Sequence, residues 1–469
     1  MTAQTTERPE TPGRGNDAPQ GRWRRWLRLA TIDAHPLRHR DFRLLYIGQG
    51  VSYAGGRIRD VALPFQVYQL THSSLAVGLM GLAEIVPILL LAFLGGALAD
   101  AQDRRRMVQI TELTFAVMSG LLLINALLPT PQLWPLFVVG TAMAGLDALQ
   151  RPSLDALIPR LVPREEITAA SALQELQGTV GQIAAPALAG VLIAVIGLPG
   201  AYGIDVATFM VSLLALRLMR AAPPPADAER PSLRRVLEGL RYARSRQELL
   251  GTYLVDMVAM FFGMPMALFP AIATQYGGAR ALGLLYAAPA VGSFLATLTS
   301  RWAGHVHRHG LAVAISAAVW GTAILGFGLS NRLPLSLAFL ALAGGADTLS
   351  ALFRSTIWNQ TIPDSLRGRL AGIELISYSS GPTLGNVESG LVAALAGVRV
   401  SLISGGAWWV WCCVRRPCPG FYPTILVTEL RRRAVQGHGA AFEPFVEARG
   451  ILLACSTQHT TTEGFYVRA

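Results

Sequence analysis

Apolar runs about as long as a bilayer is thick recur from one end of this chain to the other. The segments between them alternate between basic and nearly charge-free. A hydrocarbon layer of roughly 30 Å takes about 20 helical residues to cross. Inside it every backbone N–H and C=O must be satisfied within the element itself. The stretch from Ser74 to Ala99 carries a single charged residue, Glu84, and then runs straight into "DAQDRRR", Asp100 to Arg106. A soluble core helix has no need of so abrupt a block of charge. A helix leaving a membrane does.

Composition agrees with that reading. Only 15% of the 469 residues are charged, 52% are hydrophobic, and the mean hydropathy is +0.41. Soluble domains carry about 25% charged residues. The pattern predicts an all-α membrane protein of twelve transmembrane helices, at 42–68, 74–99, 107–128, 133–157, 168–195, 199–219, 249–274, 281–303, 311–330, 334–358, 370–396 and 399–414. The loops "THSS", "LPTPQL", "GLPG" and "QYGGAR" are nearly free of arginine, whereas "AQDRRR", "PRLVPREE", "SRWAGHVHRHG" and "PDSLRGR" are basic. With an even number of spans and basic segments facing inwards, both termini are expected in the cytoplasm.

The net charge of +11 comes entirely from arginine, with no lysine in the chain. It clusters in alternate loops and is not interleaved with stacking aromatics, which argues against nucleic-acid binding. The N-terminus has no apolar core of a signal peptide. Within it Trp23, Trp26, Leu27 and Ala30 share one helical face, as in an interfacial helix. The expected organisation is a basic cytoplasmic segment 1–41, a six-helix half 42–219, a cytoplasmic linker 220–248, a second six-helix half 249–414 and an aberrant tail 415–469. The linker contains "AAPPPADAERP" and continues as a basic amphipathic helix.

The two halves are related to each other. A slide of 205 positions sets "VALPF" (61–65) on "MALFP" (266–270) and "GLMGLAEIVP" (78–87) on "GLLYAAPAVG" (283–292). A slide of 200 sets Pro163 on Pro363, Gly181 on Gly381 and Gly190 on Gly390. Parallel repeats of this kind build transporters whose substrate site lies near the bilayer midplane, between the repeats.

On these residues the chain resembles the major facilitator superfamily up to about residue 405, and most closely the branch holding the enterobactin exporter and related drug exporters. The resembling stretches are "DVALPFQ", "AVGLMGL", "GGALADAQDRRR", "NALLP", "GLLYAAPAVGSFLATLTS" and "PDSLRGRLAG". "GGALADAQDRRR" resembles the superfamily's loop between spans 2 and 3, with Gly96, Asp100, Arg104 and Arg105 on its recurring positions. Ala101 and Asp103 depart from it. The resemblance implies a latch: Gly96 lets backbones approach, and Asp100 faces the positive N-terminus of span 11, worth about 0.3–2 kcal/mol. The arginines then pair with Asp155 or meet anionic headgroups. "GQIAAPALAG" (181–190) is similar to the superfamily's antiporter motif at Gly181, Pro186 and Gly190, with alanine replacing glycine at 185 and 189.

Ionisable side chains deep in a membrane cost several kcal/mol each and mark function by default. Asp60, Glu84, Asp147 and Asp347 fall near mid-span, with Glu388 towards the outside. Arg57 and Arg59 accompany Asp60, and Arg57 and Asp60 stand three apart on one helical face. The repeat positions of Arg57, Arg59 and Asp60 are Phe262, Met264 and Pro265, so the cluster belongs to one half only. A carboxylate here serves either as a proton carrier or as a fixed partner of arginine. Asp60 fits both roles; Glu84 and Asp147 fit the first better. Asp256 and Glu374 read as gate or snorkelling residues near the cytoplasmic ends, and Asp205 as a helix cap.

No nucleotide-binding or catalytic motif is legible, so a non-enzymatic protein without cofactor or metal is expected. His305, His307 and His309 read as a solvated loop. The expected function is a monomeric secondary active exporter, a proton antiporter, of a siderophore or an amphipathic drug-like small molecule. Import of a small metabolite on the same fold, and a non-transporting membrane receptor, stay open as alternatives.

The end of the chain departs from this order. After "SLISGGA" come Trp408, Trp409 and Trp411 and all four cysteines, Cys412, Cys413, Cys418 and Cys455, then proline, glycine and arginine without helical period. The cysteine spacing matches no zinc pattern, even with His438 added. A frameshift near residue 406 and a natural Trp-rich interfacial end are the two readings, and the abrupt change beside an intact repeat favours the first.

Overall fold

The computed structural model describes residues 33–101, 103–220, 256–306, 308–361 and 364–415. Within these, nothing is described for the side chains of 89, 92–101, 156, 359–361, 364–379 and 409–415. The expected interfacial helix near Trp23, the linker, the tail beyond Arg415 and the surroundings of Gly96, Asp100 and Glu374 therefore lie outside the described residues.

Twelve helical segments run through the described residues, without strands. They are α1 Arg40–Thr71, α2 Ser74–Ala101, α3 Arg104–Leu127 and α4 Trp134–Leu161. Then come α5 and α6, the two arms of Ile167–Leu218. The rest are α7 Asp256–Gln275, α8 Ala279–Leu298, α9 His309–Leu329, α10 Leu333–Thr361, α11 Asp364–Ala396 and α12 Val398–Arg415. The expected short loop between spans 5 and 6 is reduced to one residue: Gly197 at φ +73° reverses the chain between 167–196 and 198–218. Only glycine takes that conformation freely, and Pro199 opens the next helix behind it.

These helices are apolar on both sides. On α3 the residues Ile110, Leu113, Val117, Leu121 and Ile124, three or four apart, are exposed, while Val108, Phe115 and Leu122 on the other side are buried. In water the exposed stripe would be a liability; in hydrocarbon it is the outer wall. Polar residues are turned inwards instead, among them Glu112, Ser119 and Asp205.

Two expectations about span geometry need correction. Span 7 is not one continuous helix. Its helix stops at 263, and a short 3-10 turn Met266–Leu268 precedes a last helical piece Phe269–Gln275. Pro265 has no N–H and would clash with the preceding turn. The Ala267 N–H at this break is satisfied by the Asn386 side chain of α11 at 3.0 Å. Span 8 ends at Leu298, five residues early, and Ser300–His305 forms a 3-10 turn.

α1 to α6 pack among themselves, as do α8, α9, α10 and α12, and two helix pairs bridge these groups: α2 with α11 and α5 with α8. Both bridges are tight at the membrane face opposite the start of α1 and the end of α12. A Cβ on Gly190 of α5 would lie 2.4 Å from the Ala279 carbonyl oxygen, and one on Gly283 of α8 2.4 Å from that of Pro186. Gly78 and Gly390 stand equally close to the partner backbone at Asn386 and Ser74. Such approaches are the way small residues pack helices in membranes, where water supplies no hydrophobic drive.

Candidate functional site

Half-way along α1, the arginines that accompany Asp60 in the sequence form an ordered chain of charge. The Arg57 guanidinium lies 5.1 Å from the Tyr53 ring centroid and 3.0 Å from an Asp60 oxygen. The other Asp60 oxygen accepts from Arg59 at 3.3 Å, and Arg59 reaches Asp205 of α6 at 3.5 Å. Ser119 of α3 donates to the same Asp205 oxygen. Exposure falls along this chain, from 41% and 40% at the Arg57 and Asp60 side chains to 14% at Arg59 and 0% at Asp205. The Arg57–Asp60 end is open to a visiting molecule; the Arg59–Asp205 end is anchored in the core. Asp205 is thus a buried counter-ion and not the cap its place near a helix end suggested.

These four charges cancel. Glu84 of α2 and Asp147 of α4 lie within electrostatic range of Asp60 and Arg59 and make no ion pair with them. They are carboxylates in surplus over the four paired charges. Arg151 stands one helical turn from Asp147 and another from Asp155, which is exposed. Across the interface, Tyr286 of α8 is half-buried within range of Asp60 and Glu84, and its hydroxyl meets the Met266 carbonyl at the break in α7. The repeat positions of the α1 charges are therefore occupied by an interrupted helix, so the two walls of the site differ in kind.

The other half holds a second cluster. Arg354 of α10 donates to Asp256 of α7, both buried, and lies 4.0 Å from Asp347, whose side chain is 42% exposed. Asp256 is a buried ion-pair partner rather than a snorkelling end, and Arg354 escaped the sequence reading. Asp347 sits 200 positions after Asp147, on the corresponding helix of the other repeat. Glu388 on α11 is half-buried and makes no ion pair among the described residues.

Glu112 of α3 was also missed. It is 1% exposed and accepts from Gln49 and Ser52 of α1 and Gln150 of α4, at 3.1–3.3 Å. Gln49 also donates to Ser212 of α6 at 2.9 Å. Four polar residues inside apolar spans were the available signal. The knot ties α1 to α4 from behind, using neutral donors.

The motif positions do packing work. A Cβ on Gly181 would lie 2.6 Å from the Tyr53 ring, so this glycine seats the tyrosine that Arg57 covers. Pro186 and Gly190 form the crossing with α8 described above. At the α2–α3 turn, Asp103 caps α3 by accepting from the Arg105 and Arg106 amides. Arg105 does not reach Asp155; it donates to the Leu216 and Arg217 carbonyls at 2.7 and 2.9 Å, capping the end of α6. Arg104 is buried at the start of α3. No cluster of metal-ligating side chains occurs among the described residues.

Two helical groups bridged by α2–α11 and α5–α8 around charges deep in the spans fit a membrane transporter, and a family model agrees. Residues 31–414 match the transmembrane secretion effector family of the major facilitator superfamily, and the chain belongs to that family. It is a multi-pass membrane transporter and not an enzyme. The enterobactin exporter EntS of Citrobacter koseri is 30% identical over 385 residues, covering 81% of this chain and 91% of that protein. The same exporter from Shigella boydii is 30% identical over 387 residues, with the same coverage. Among solved structures, the nucleoside transporter NupG superposes with a TM-score of 0.68 at 14% identity, covering 82% of this chain and 98% of that one. A bacterial homologue of the lysosomal transporter Spinster, inward-facing and unoccupied, superposes with a TM-score of 0.64 at 15% identity, covering 85% and 99%. These last two share the fold.

Proposed function

We propose that this protein exports a siderophore from the cytoplasm by proton-driven alternating access, with both termini cytoplasmic, as a monomer of two six-helix halves. The observation that carries the reading is the similarity to enterobactin exporters over four-fifths of the chain, 81%. The site chemistry is compatible with it. A partly exposed Arg57, resting on Tyr53 and balanced by Asp60, offers an aromatic and cationic surface to an acidic phenolic ligand. Glu84 and Asp147, in no ion pair and within electrostatic range of the same charge chain, are the proton carriers of this mechanism, with Asp347 as the next candidate. A group that takes a proton only when open to one side couples the gradient to the cycle.

The close contacts at the face away from the termini belong to the state open to the cytoplasm. Asp100, Gly96 and the arginines of the α2–α3 loop are assigned the opposite task, latching the cytoplasmic side when it closes. Transport in energised inverted vesicles tests the whole reading: the siderophore accumulates inside, and collapsing the proton gradient stops it. Glu84→Gln or Asp147→Asn abolishes gradient-driven uptake in at least one case while substrate exchange persists. Accumulation indifferent to the gradient removes the antiport mechanism, and flux in the reverse direction favours the importer.

A further inference from the structure

A groove of about 810 Å³ opens between α8 and α9, on the half of the membrane nearer the termini. It lies outside the charged site, and its origin is mechanical. A Cβ on Gly292 would fall 1.6 Å from the Ala341 carbonyl oxygen, so α8 is drawn hard against α10. α9 packs on α10 as well, while α8 and α9 scarcely meet. The gap between them is floored by α10. Its size falls within the roughly 300–1,000 Å³ of sites that hold small ligands.

The lining changes character along its length. Towards mid-membrane it is apolar: Ile315 and Val319 of α9, and Leu342 and Ala346 of α10, while Phe353 of α10 lies nearer the mouth, 6.1 Å from Trp302 between ring centroids. At the end nearest the termini stand Thr299, Trp302 and Arg308. Trp302 is 48% exposed, the placement of an indole at a membrane boundary. Arg308 is exposed and forms no ion pair among the described residues, and Arg301 and His305 precede it in the same basic connection between α8 and α9. An apolar slot with a cationic, aromatic mouth at headgroup level has the polarity of one molecule class.

We infer that this groove is a binding site for an anionic phospholipid, with an acyl chain between α8 and α9 and the phosphate on Arg308. Bulk lipid offers the acyl chain the same apolar contact as the groove, so selectivity rests on the headgroup. A basic residue near a membrane surface is worth about 1 kcal/mol towards anionic lipid. The floor gives the site a consequence. α10 turns Leu342, Gly345, Ala346 and Leu349 to the groove and carries Asp347 and Arg354 of the second charge cluster. The lipid therefore bears on the helix that holds those charges.

The full-length protein, reconstituted in vesicles of phosphatidylethanolamine with a minor fraction of phosphatidylglycerol and then extracted, tests this by native mass spectrometry. Retained phosphatidylglycerol exceeds its share of the bulk lipid, and Arg308→Ala lowers the preference about fivefold, the equivalent of one basic contact. Ala312→Trp, which fills the groove from α9, removes retained lipid of both kinds. Arg308→Ala lies in an exposed turn, so it keeps the test decisive if the tryptophan variant fails to fold. Retention in proportion to the bulk mixture, or a preference unchanged by Arg308→Ala, overturns the proposal. So does an Ala312→Trp protein that keeps its lipid and loses only substrate, which would make the groove a substrate entrance.

Discussion

The two ends of the α1 charge chain should respond differently to mutation, because their surroundings differ. Removing Asp205 leaves Arg59 buried against an empty position, and breaking a buried pair from one side costs about 3–5 kcal/mol. Asp60 is 40% exposed, and partly solvated pairs are worth about 0–1 kcal/mol. Asp205→Ala should therefore lower the thermal unfolding midpoint in detergent far more than Asp60→Ala. Equal losses from the two would show that the gradient of burial has no energetic meaning. Arg57→Ala makes the complementary point about function. It should weaken export of an acidic siderophore at least several-fold more than that of a cationic dye, measured as initial rates in the same vesicles. If both fall together, Arg57 merely neutralises Asp60. Sequence reading found the Arg57–Asp60 pair because the two residues lie three apart. It could not find Arg59–Asp205, separated by 146 residues, or the four-helix knot on Glu112, because such pairings exist only once the helices are packed.

At the scale of helices, length and apolarity were enough to place twelve spans, because a bilayer permits so few alternatives. What they could not convey was continuity. Span 7 breaks at Pro265, and side chains far away in the sequence, Asn386 and Tyr286, take up backbone groups that the break frees. Spans 5 and 6 fuse across Gly197 for the converse reason: one residue at φ +73° is a sufficient turn. The glycines that bridge the halves offer a direct test of the proposed cycle. Gly190→Val places methyl groups where the α8 backbone stands, 2.4–2.9 Å away, and should prevent closure on the face opposite the termini. Transport should drop at least tenfold while the protein still inserts and purifies as a single species. Gly120→Val is the matched control, since a Cβ there meets nothing within 4 Å. Normal flux in Gly190→Val would mean that the two halves need not approach at this crossing.

For the molecule as a whole, the end of α12 carries the unresolved conflict between sequence and architecture. The family match ends at residue 414, while the chain continues for 55 more. α12 covers 18 residues, about 27 Å at the helical rise, barely a span. Its first half fits the fold closely: Gly405 and Gly406 admit the backbones of Phe262 and Leu325, and Trp408 stacks on Phe262 with centroids 3.8 Å apart. Packing of this kind reads the residues present and is blind to the reading frame behind them. A frameshift near residue 406 predicts that another frame of the gene, from that point onward, encodes Leu-, Ala- and Val-rich residues that lengthen α12, then a short basic end. Restoring that frame should raise the amount of folded protein in the membrane, because a longer apolar helix relieves the mismatch with the roughly 30 Å hydrocarbon layer. Resequencing the gene and comparing expression of the two versions decides the matter. If no frame supplies such a helix, the Trp- and Cys-rich end is the protein's own, and truncation after Arg415 should then impair insertion or export.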